Sequence, residues 1–223
     1  MSGADWTAVI PVKRLSAAKS RLRGAVLDAR HEDLALAMVR DTVAAVTSCP
    51  RVAELLVVTD DPAATAAVAA LGARAVPDAP GAGLNAALRF GADQVAGLSR
   101  RRAVLTGDLP ALRPGELDEA LAAAGPGRSF VADAAGTGTV LLTAAAGSPL
   151  EPRFGSGSAA AHAASHARAL TGSWPGLRQD VDTAGDLRTV LALGAGEHTR
   201  ALLRDLGLIA ECGACGVPAG PHR

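Results

Sequence analysis

The chain has no tyrosine, three phenylalanines and two tryptophans in 223 residues. A core without large rings must be built from Ala, Val and Leu, which argues for close helix-on-sheet packing rather than a β-sandwich. Three cysteines do not make a disulfide framework. Charge of either sign is not in excess: Lys+Arg and Asp+Glu are both 22. No overall field then draws nucleic acid or a membrane surface, and any anion site must be local. No apolar run approaches bilayer length, and MSGADWTAVIPVKRL lacks the features of a signal peptide. These absences lead us to expect a cytoplasmic protein. No GxxxxGK[ST] phosphate loop and no GxGxxG dinucleotide fingerprint is present. The length suits one domain, expected over residues 1–210, with a loose Gly/Pro-rich tail over 211–223.

What is present centres on AVLTGDLPAL, residues 103–112. An apolar run bounded by turn residues reads as a buried strand of a parallel sheet. Ligands of open α/β sheets bind beyond the carboxyl ends of such strands. Asp108 falls there, Gly107 allows close backbone approach, and Pro110 stops the strand. Asp108 is thus either a metal-holding carboxylate or a turn and cap residue.

Residues 7–12, TAVIPV, read as the first strand, followed by a basic stretch. Lys13, Arg14, Lys19, Arg21 and Arg23 can neutralise a triphosphate or form a solvated helix face. Residues 31–49 read as a helix, with His31 on its surface. Residues 55–62 read as a strand ending in a helix start, Asp61 as N-cap and Pro62 at the first position, with nucleotide contact by Asp60-Asp61 as the alternative. A helix over 63–71 closed by Gly72, a short strand over 73–77 and a Gly/Pro loop over 78–84 follow. Asn85 opens a helix running to about Gly97, as its cap or as a base or ribose contact. Residues 98–102 read as a basic turn, and 114–124 as a helix.

Residues 129–144 read as two strands joined by a loop over 133–138. Its Gly-Thr-Gly-Thr run, residues 136–139, has the makings of an anion nest or of a glycine hairpin. PRFGSGSAAAH, residues 152–162, leads into an Ala-rich helix, offering an anion its N-terminus or capping it by Ser156 or Ser158. His162 and His166 have zinc spacing but no third ligand, which favours a satisfied or exposed pair. In RQDVDTAGDL, residues 178–187, Asp180 and Asp182 point the same way if the segment is extended, while Asp186 suits a helix cap. Asp180 with Asp108 would form a carboxylate pair of the kind that binds magnesium and substrate phosphates. Residues 197–208 read as the last helix. Cys212 and Cys215 form one CxxC, too few ligands for a closed zinc site.

The ordered motifs IPVKRLSAAKSRL, VVTDD, LNAAL, GDLPAL, ADAAGTGTVLL, RFGSGSAAAH and DVDTAGDL resemble the CofC/FbiD family. Its members are guanylyltransferases of deazaflavin coenzyme F-420 biosynthesis. The resemblance runs from Trp6 to about Leu203 and leaves the cysteine tail aside. It implies an α/β, Rossmann-like nucleotide-diphospho-sugar transferase (GT-A-like) fold, a mixed, mostly parallel sheet flanked by helices. It implies GMP transfer from GTP to a phosphorylated three-carbon acid, with release of pyrophosphate. The acceptor would be phosphoenolpyruvate, as in actinobacterial members, or 2-phospho-L-lactate, as in archaeal ones. An Ala-, Gly- and Arg-rich composition, as from a high-GC genome, tilts the choice to phosphoenolpyruvate. By resemblance, Thr139, Gly155 and Ser158 would bind the acceptor, and Asp108 and Asp180 would hold Mg2+. Lys13, Arg14 and Lys19 would bind the GTP phosphates, with Asn85 and Gly107 also on the nucleotide. Asp108, Asp180, Lys13 and Lys19 would carry the catalysis. The glycine-heavy loop after Asp78 leaves base selectivity open, and a homodimer remains one option.

Two other readings compete. A sugar-nucleotide glycosyltransferase on the same fold would use Asp180-Val181-Asp182 as its metal motif. A non-catalytic phosphometabolite sensor would use the two glycine loops alone, but would not need so many cations.

Overall fold

Near-continuous burial along the central strands places apolar side chains on both faces of one sheet. The computed structural model describes residues 5–17 and 30–210. Lys19, Arg21, Arg23, Cys212, Cys215 and the expected tail therefore lie outside the described residues. In chain order the elements are β1 (Trp6–Pro11), α1 (His31–Thr47), β2 (Val52–Val58), α2 (Pro62–Ala70), β3 (Arg74–Val76) and α3 (Leu84–Arg89). A π-helical stretch (Phe90–Val95), β4 (Arg101–Leu105), α4 (Pro114–Ala123), β5 (Arg128–Ala132) and β6 (Thr139–Ala144) follow. The chain continues through α5 (Ser158–Ala164), β7 (Arg168–Ala169), α6 (Pro175–Arg178), α7 (Ala184–Leu193) and α8 (Glu197–Asp205).

Among the described residues the sheet has seven strands in the order β3-β2-β1-β4-β6-β5-β7. The β3-β2-β1-β4 half is parallel; β6 runs antiparallel to β4 and β5, and β7 is parallel to β5. The chain leaves β1 outward to β2 and β3, then returns to β4 on the other side. That reversal opens a crevice at the carboxyl ends of β1 and β4, where open α/β sheets bind ligands. Ala8, Ile10, Leu55, Val57, Ala103 and Leu105 pack on one face, against α1, α2 and α4. Val9, Leu56, Val58, Val104 and Leu142 pack on the other, against α3 and α5. A third apolar cluster joins α1 to α7 and α8 through Leu34, Met38, Leu187, Val190 and Leu203.

Several local expectations change. The helix after residue 84 is capped by Gly83, not Asn85, and widens into the π-helical stretch. There Gly91 lies so close to the sheet that a Cβ would sit 2.8 Å from Val9 and Val58 methyls. Residues 98–102 are not all turn: Arg101 and Arg102 enter β4. Arg102 is fully buried, donating to the Gly97 and Ser148 carbonyls, and Arg101 stacks 4.1 Å over the Trp6 ring. His31 is buried rather than on the surface. The last helix ends at Asp205, and the short β7 and α6 were not anticipated. No helix among the described residues is long and apolar enough to cross a membrane.

Candidate functional site

The turn after β4 is held from three sides. The Thr106 N–H donates to the Val140 carbonyl of β6 at 3.1 Å. Gly107 approaches the end of β1, where a Cβ would lie 3.3 Å from an Ile10 methyl. Behind it, buried Thr42 of α1 receives the Leu109 N–H at 3.0 Å and directs its hydroxyl at the Met38 and Gly107 carbonyls, 2.9 and 3.3 Å away. The Asp108 carbonyl then accepts the Val181 N–H at 3.2 Å. This bond sets the chain at Asp180 beside the chain at Asp108, although 72 residues separate them. Asp180 is half-buried, Val181 fully buried and Asp182 exposed, the alternation expected of an extended segment. Asp186 forms a capping box with Thr183, the N-cap of α7.

No cluster of three or more His, Cys, Asp or Glu that could hold a metal occurs among the described residues. A pair of aspartates supplies hard oxygen donors without a protein cage. That donor set fits a magnesium-type cation, which keeps waters and shares substrate phosphates rather than taking a full set of protein ligands.

On the parallel side, Lys13 is exposed and lines a cleft of about 240 Å³ with Pro11, Val12, Val58, Asp78 and Gly83. Arg14 is exposed next to it. Asp61 caps α2 through Ala64 N–H at 3.0 Å, as its position suggests. Its other oxygen receives the Leu15 N–H at 2.9 Å, so the same carboxylate also anchors the basic stretch. Burial alone would raise the Asp61 carboxyl. The Ala64, Leu15 and Ala63 N–H groups and the Arg14 charge outweigh it and hold the group below its ordinary value.

On the antiparallel side, the loop between β5 and β6 is already filled. Asp133 accepts from Thr137 N–H at 2.9 Å and Gly138 N–H at 2.8 Å. These two amides of the expected nest therefore bind the protein's own carboxylate. Arg178 fastens the loop by donating to the Ala132 and Asp133 carbonyls, and returns its carbonyl to Ala134 N–H. The second glycine run turns through Gly155 (φ 138°) and Gly157 (φ 69°). Gly157, not Ser156 or Ser158, is the residue before α5, and Ser158 is buried. Asn85 reaches this run from α3: its carboxamide accepts from Phe154 N–H at 2.8 Å and donates to the Phe154 carbonyl at 3.0 Å.

Thr139 is buried and pairs through its hydroxyl with His162 Nδ1 at 2.9 Å, while His162 Nε2 accepts the Arg153 N–H at 2.9 Å. The ring lies 5.2 Å from Phe154 and 5.9 Å from Phe130 between centroids. Burial, then the Arg128 and Arg153 charges, push the imidazole down to about 4. His162 is thus a satisfied, neutral histidine and not a zinc ligand.

The sequence reading missed Thr42, Asp133, Arg178 and the second bond of Asp61. Asp133 carried a usable signal: an aspartate four and five residues ahead of small-residue amides is a local turn former. Thr42 carried none, since its partners in the Asp108 turn lie 65 and 67 residues away.

The family described as "Guanylyl transferase CofC like" matches residues 6–215, reaching into the cysteine-containing tail that the motif resemblance left aside. A "Phosphoenolpyruvate guanylyltransferase" of Salinispora arenicola is 57% identical over 96% of this chain and 97% of its own. One of the same name from Geodermatophilus obscurus is 60% identical over 89% and 94%. In structure, a Desulfovibrio desulfuricans protein described as a nucleotide-diphospho-sugar transferase aligns over 91% of this chain and 96% of its own, with TM-score 0.70 and 16% identity. A nucleotidyl transferase from Methanothermobacter aligns over 86% and 98%, with TM-score 0.59 and 19% identity. The fold is accordingly that of these transferases. The chain belongs to the CofC-like guanylyl transferase family and is a nucleotidyltransferase.

Proposed function

We propose that the protein transfers GMP from GTP to phosphoenolpyruvate, releasing pyrophosphate, as a step of deazaflavin coenzyme F-420 assembly. The observation that carries this reading is the Val181 N–H to Asp108 carbonyl bond. It puts two aspartate-bearing segments together at the sheet crevice, between the Lys13 cleft and the Thr139 and Gly155 loops. The names of the relatives support the acceptor.

In this reading the acceptor phosphate attacks the α-phosphorus of GTP, and the bond to the pyrophosphate oxygen breaks. Two anions must approach, so the chain's task is to position and screen them. Lys13 and Lys19 are the only lysines in the sequence. Both sit in the stretch after β1, where a compact ammonium meets a phosphate as a point charge. Arg14 adds a third cation, and Asp61 fixes where this stretch leaves the strand. Asp108 and Asp180 would hold Mg2+, which when bound would screen the phosphates and stabilise the leaving pyrophosphate. Gly107 keeps the strand end open for the nucleotide. Thr139, Gly155 and Ser158 take the acid. Asn85, which resemblance assigns to the nucleotide, acts by joining the nucleotide-side helix to the acceptor loop through Phe154.

The test is pyrophosphate release from GTP with each acid offered alone, in magnesium. Turnover with phosphoenolpyruvate and little with 2-phospho-L-lactate is expected. Turnover of a sugar nucleotide instead, or tight acid binding with no use of GTP, would replace the proposal by the glycosyltransferase or the sensor.

A further inference from the structure

We infer that His162 is the positioning residue of the acceptor pocket: it holds the Thr139 hydroxyl so that its proton can be given only to a bound anion. The inference rests on the acceptor assignment proposed above and extends it to a side chain that does not itself touch substrate.

The argument is one of hydrogen-bond order. An amide N–H can only donate, so the Arg153 N–H at 2.9 Å makes His162 Nε2 an acceptor. A neutral imidazole has one proton, which must then sit on Nδ1. Nδ1 faces the Thr139 hydroxyl at 2.9 Å, so the ring donates and the hydroxyl oxygen accepts. The hydroxyl's own proton is left pointing elsewhere, and it has no second partner among the described residues. A buried donor without an acceptor is costly, and a phosphate or carboxylate oxygen relieves that cost.

The ring is fixed as firmly as its protons. His162 is fully buried between Phe130 of β5 and Phe154 of the glycine run. It therefore binds β6, β5 and the 153–157 run to one another. The Ala159 N–H to Thr137 carbonyl bond, at 3.1 Å, closes the same corner. Burial first, and then the Arg128 and Arg153 charges near the ring, oppose a second proton, which keeps the order of donors in force at neutral pH.

Three substitutions test this. His162→Phe keeps an aromatic ring but removes both bonds. His162→Asn offers an amide near the Nδ1 position, and His162→Gln one near the Nε2 position. Phosphoenolpyruvate binding is measured by calorimetry without GTP, alongside KM for each substrate. We expect His162→Phe to weaken the acid at least about tenfold, the size of one hydrogen bond to a charged group. KM for GTP should stay within about twofold, and His162→Asn should recover most of the loss while His162→Gln does not. Thr139→Val should weaken the acid similarly, and combining it with His162→Phe should add little. Equal losses for acid and GTP, or unchanged acid binding in His162→Phe, would overturn the inference. Long-range proton–nitrogen NMR of the unliganded protein reads the ring directly; a proton found on Nε2 would also overturn it. That readout needs no turnover. If wild type binds the acid but never consumes GTP, the proposed reaction fails while the role of His162 stands.

Discussion

At the scale of single residues, the site depends on carboxylates that each do more than one thing. Asp108 gives its carbonyl to Val181 at the end of β4, and under the proposed function its carboxylate holds the metal. Asp108→Asn keeps the shape and the carbonyl bond but removes a negative charge. It should lower magnesium-dependent pyrophosphate release by at least about a hundredfold with an unchanged melting temperature; near-normal release would sink the metal role. Asp61→Ala removes an N-cap, costing about 1 kcal/mol of stability. It also frees Leu15 N–H, so KM for GTP should rise while that for the acid does not. Folding lowers the Asp61 carboxyl, so its contribution is whole above the ordinary value of 3.8 and is lost as pH falls through the folded value. His162 acts in a different window. Its imidazole falls from 6.5 to about 4 on folding, so between those values the unfolded chain binds the extra proton and stability drops as pH falls. The linked loss is about 3 kcal/mol across that window. Urea titrations at pH 7 and pH 4.5 should show a smaller drop for His162→Asn than for wild type; parallel curves would deny the shift.

At the scale of elements, the sequence made the strands visible and hid what braces them. Apolar runs ending at Val12, Val58 and Leu105 mark strand ends because burial on both faces removes polar residues from the run. Burial patterns do not name partners. Nothing local tells that Asn85 binds Phe154, or that Arg102 is buried in β4. Those are bonds between residues brought together only when the sheet closes. Capping was legible where it is local, as with Asp61 and with Asp186, which shares its capping box with Thr183, and illegible where it is remote. Asp41, buried on α1, receives His198 N–H at 2.9 Å and Thr199 N–H at 2.8 Å and so caps α8 from 157 residues away. The neighbouring Gly196 N–H donates to the Pro110 carbonyl at 2.7 Å, which links that cap to the Asp108 turn. The π-helical stretch sets a second such dependence. Gly91→Ala would push a methyl group into Val9 and Val58. It should cost about 1–3 kcal/mol by overpacking. A neutral or stabilising result in urea denaturation would mean that the stretch can shift outward at no cost.

At the scale of the whole molecule, the sheet is two unlike halves sharing β4. The parallel half presents the cations and the cleft, and the antiparallel half presents the threonine and glycine loops. Neither half holds both aspartates, since Asp108 follows β4 and Asp180 arrives from the segment before α7. Under the proposed function, two substrates of like charge must bind across that seam, and each alone repels the other. A cation held by the two aspartates would offset this repulsion and couple the two ligands. The consequence is thermodynamic and does not need catalysis. With a GTP analogue whose α,β-bridging oxygen is a methylene group, no pyrophosphate can leave, and both ligands stay bound. Each ligand raises the melting temperature by mass action. In magnesium, the rise with both present should exceed the sum of the separate rises, because each site then favours the other. With a chelator the excess should vanish, and Asp108→Asn should abolish it even in magnesium. Additive shifts under all three conditions would mean that the halves bind independently, and that the paired aspartates do not couple them.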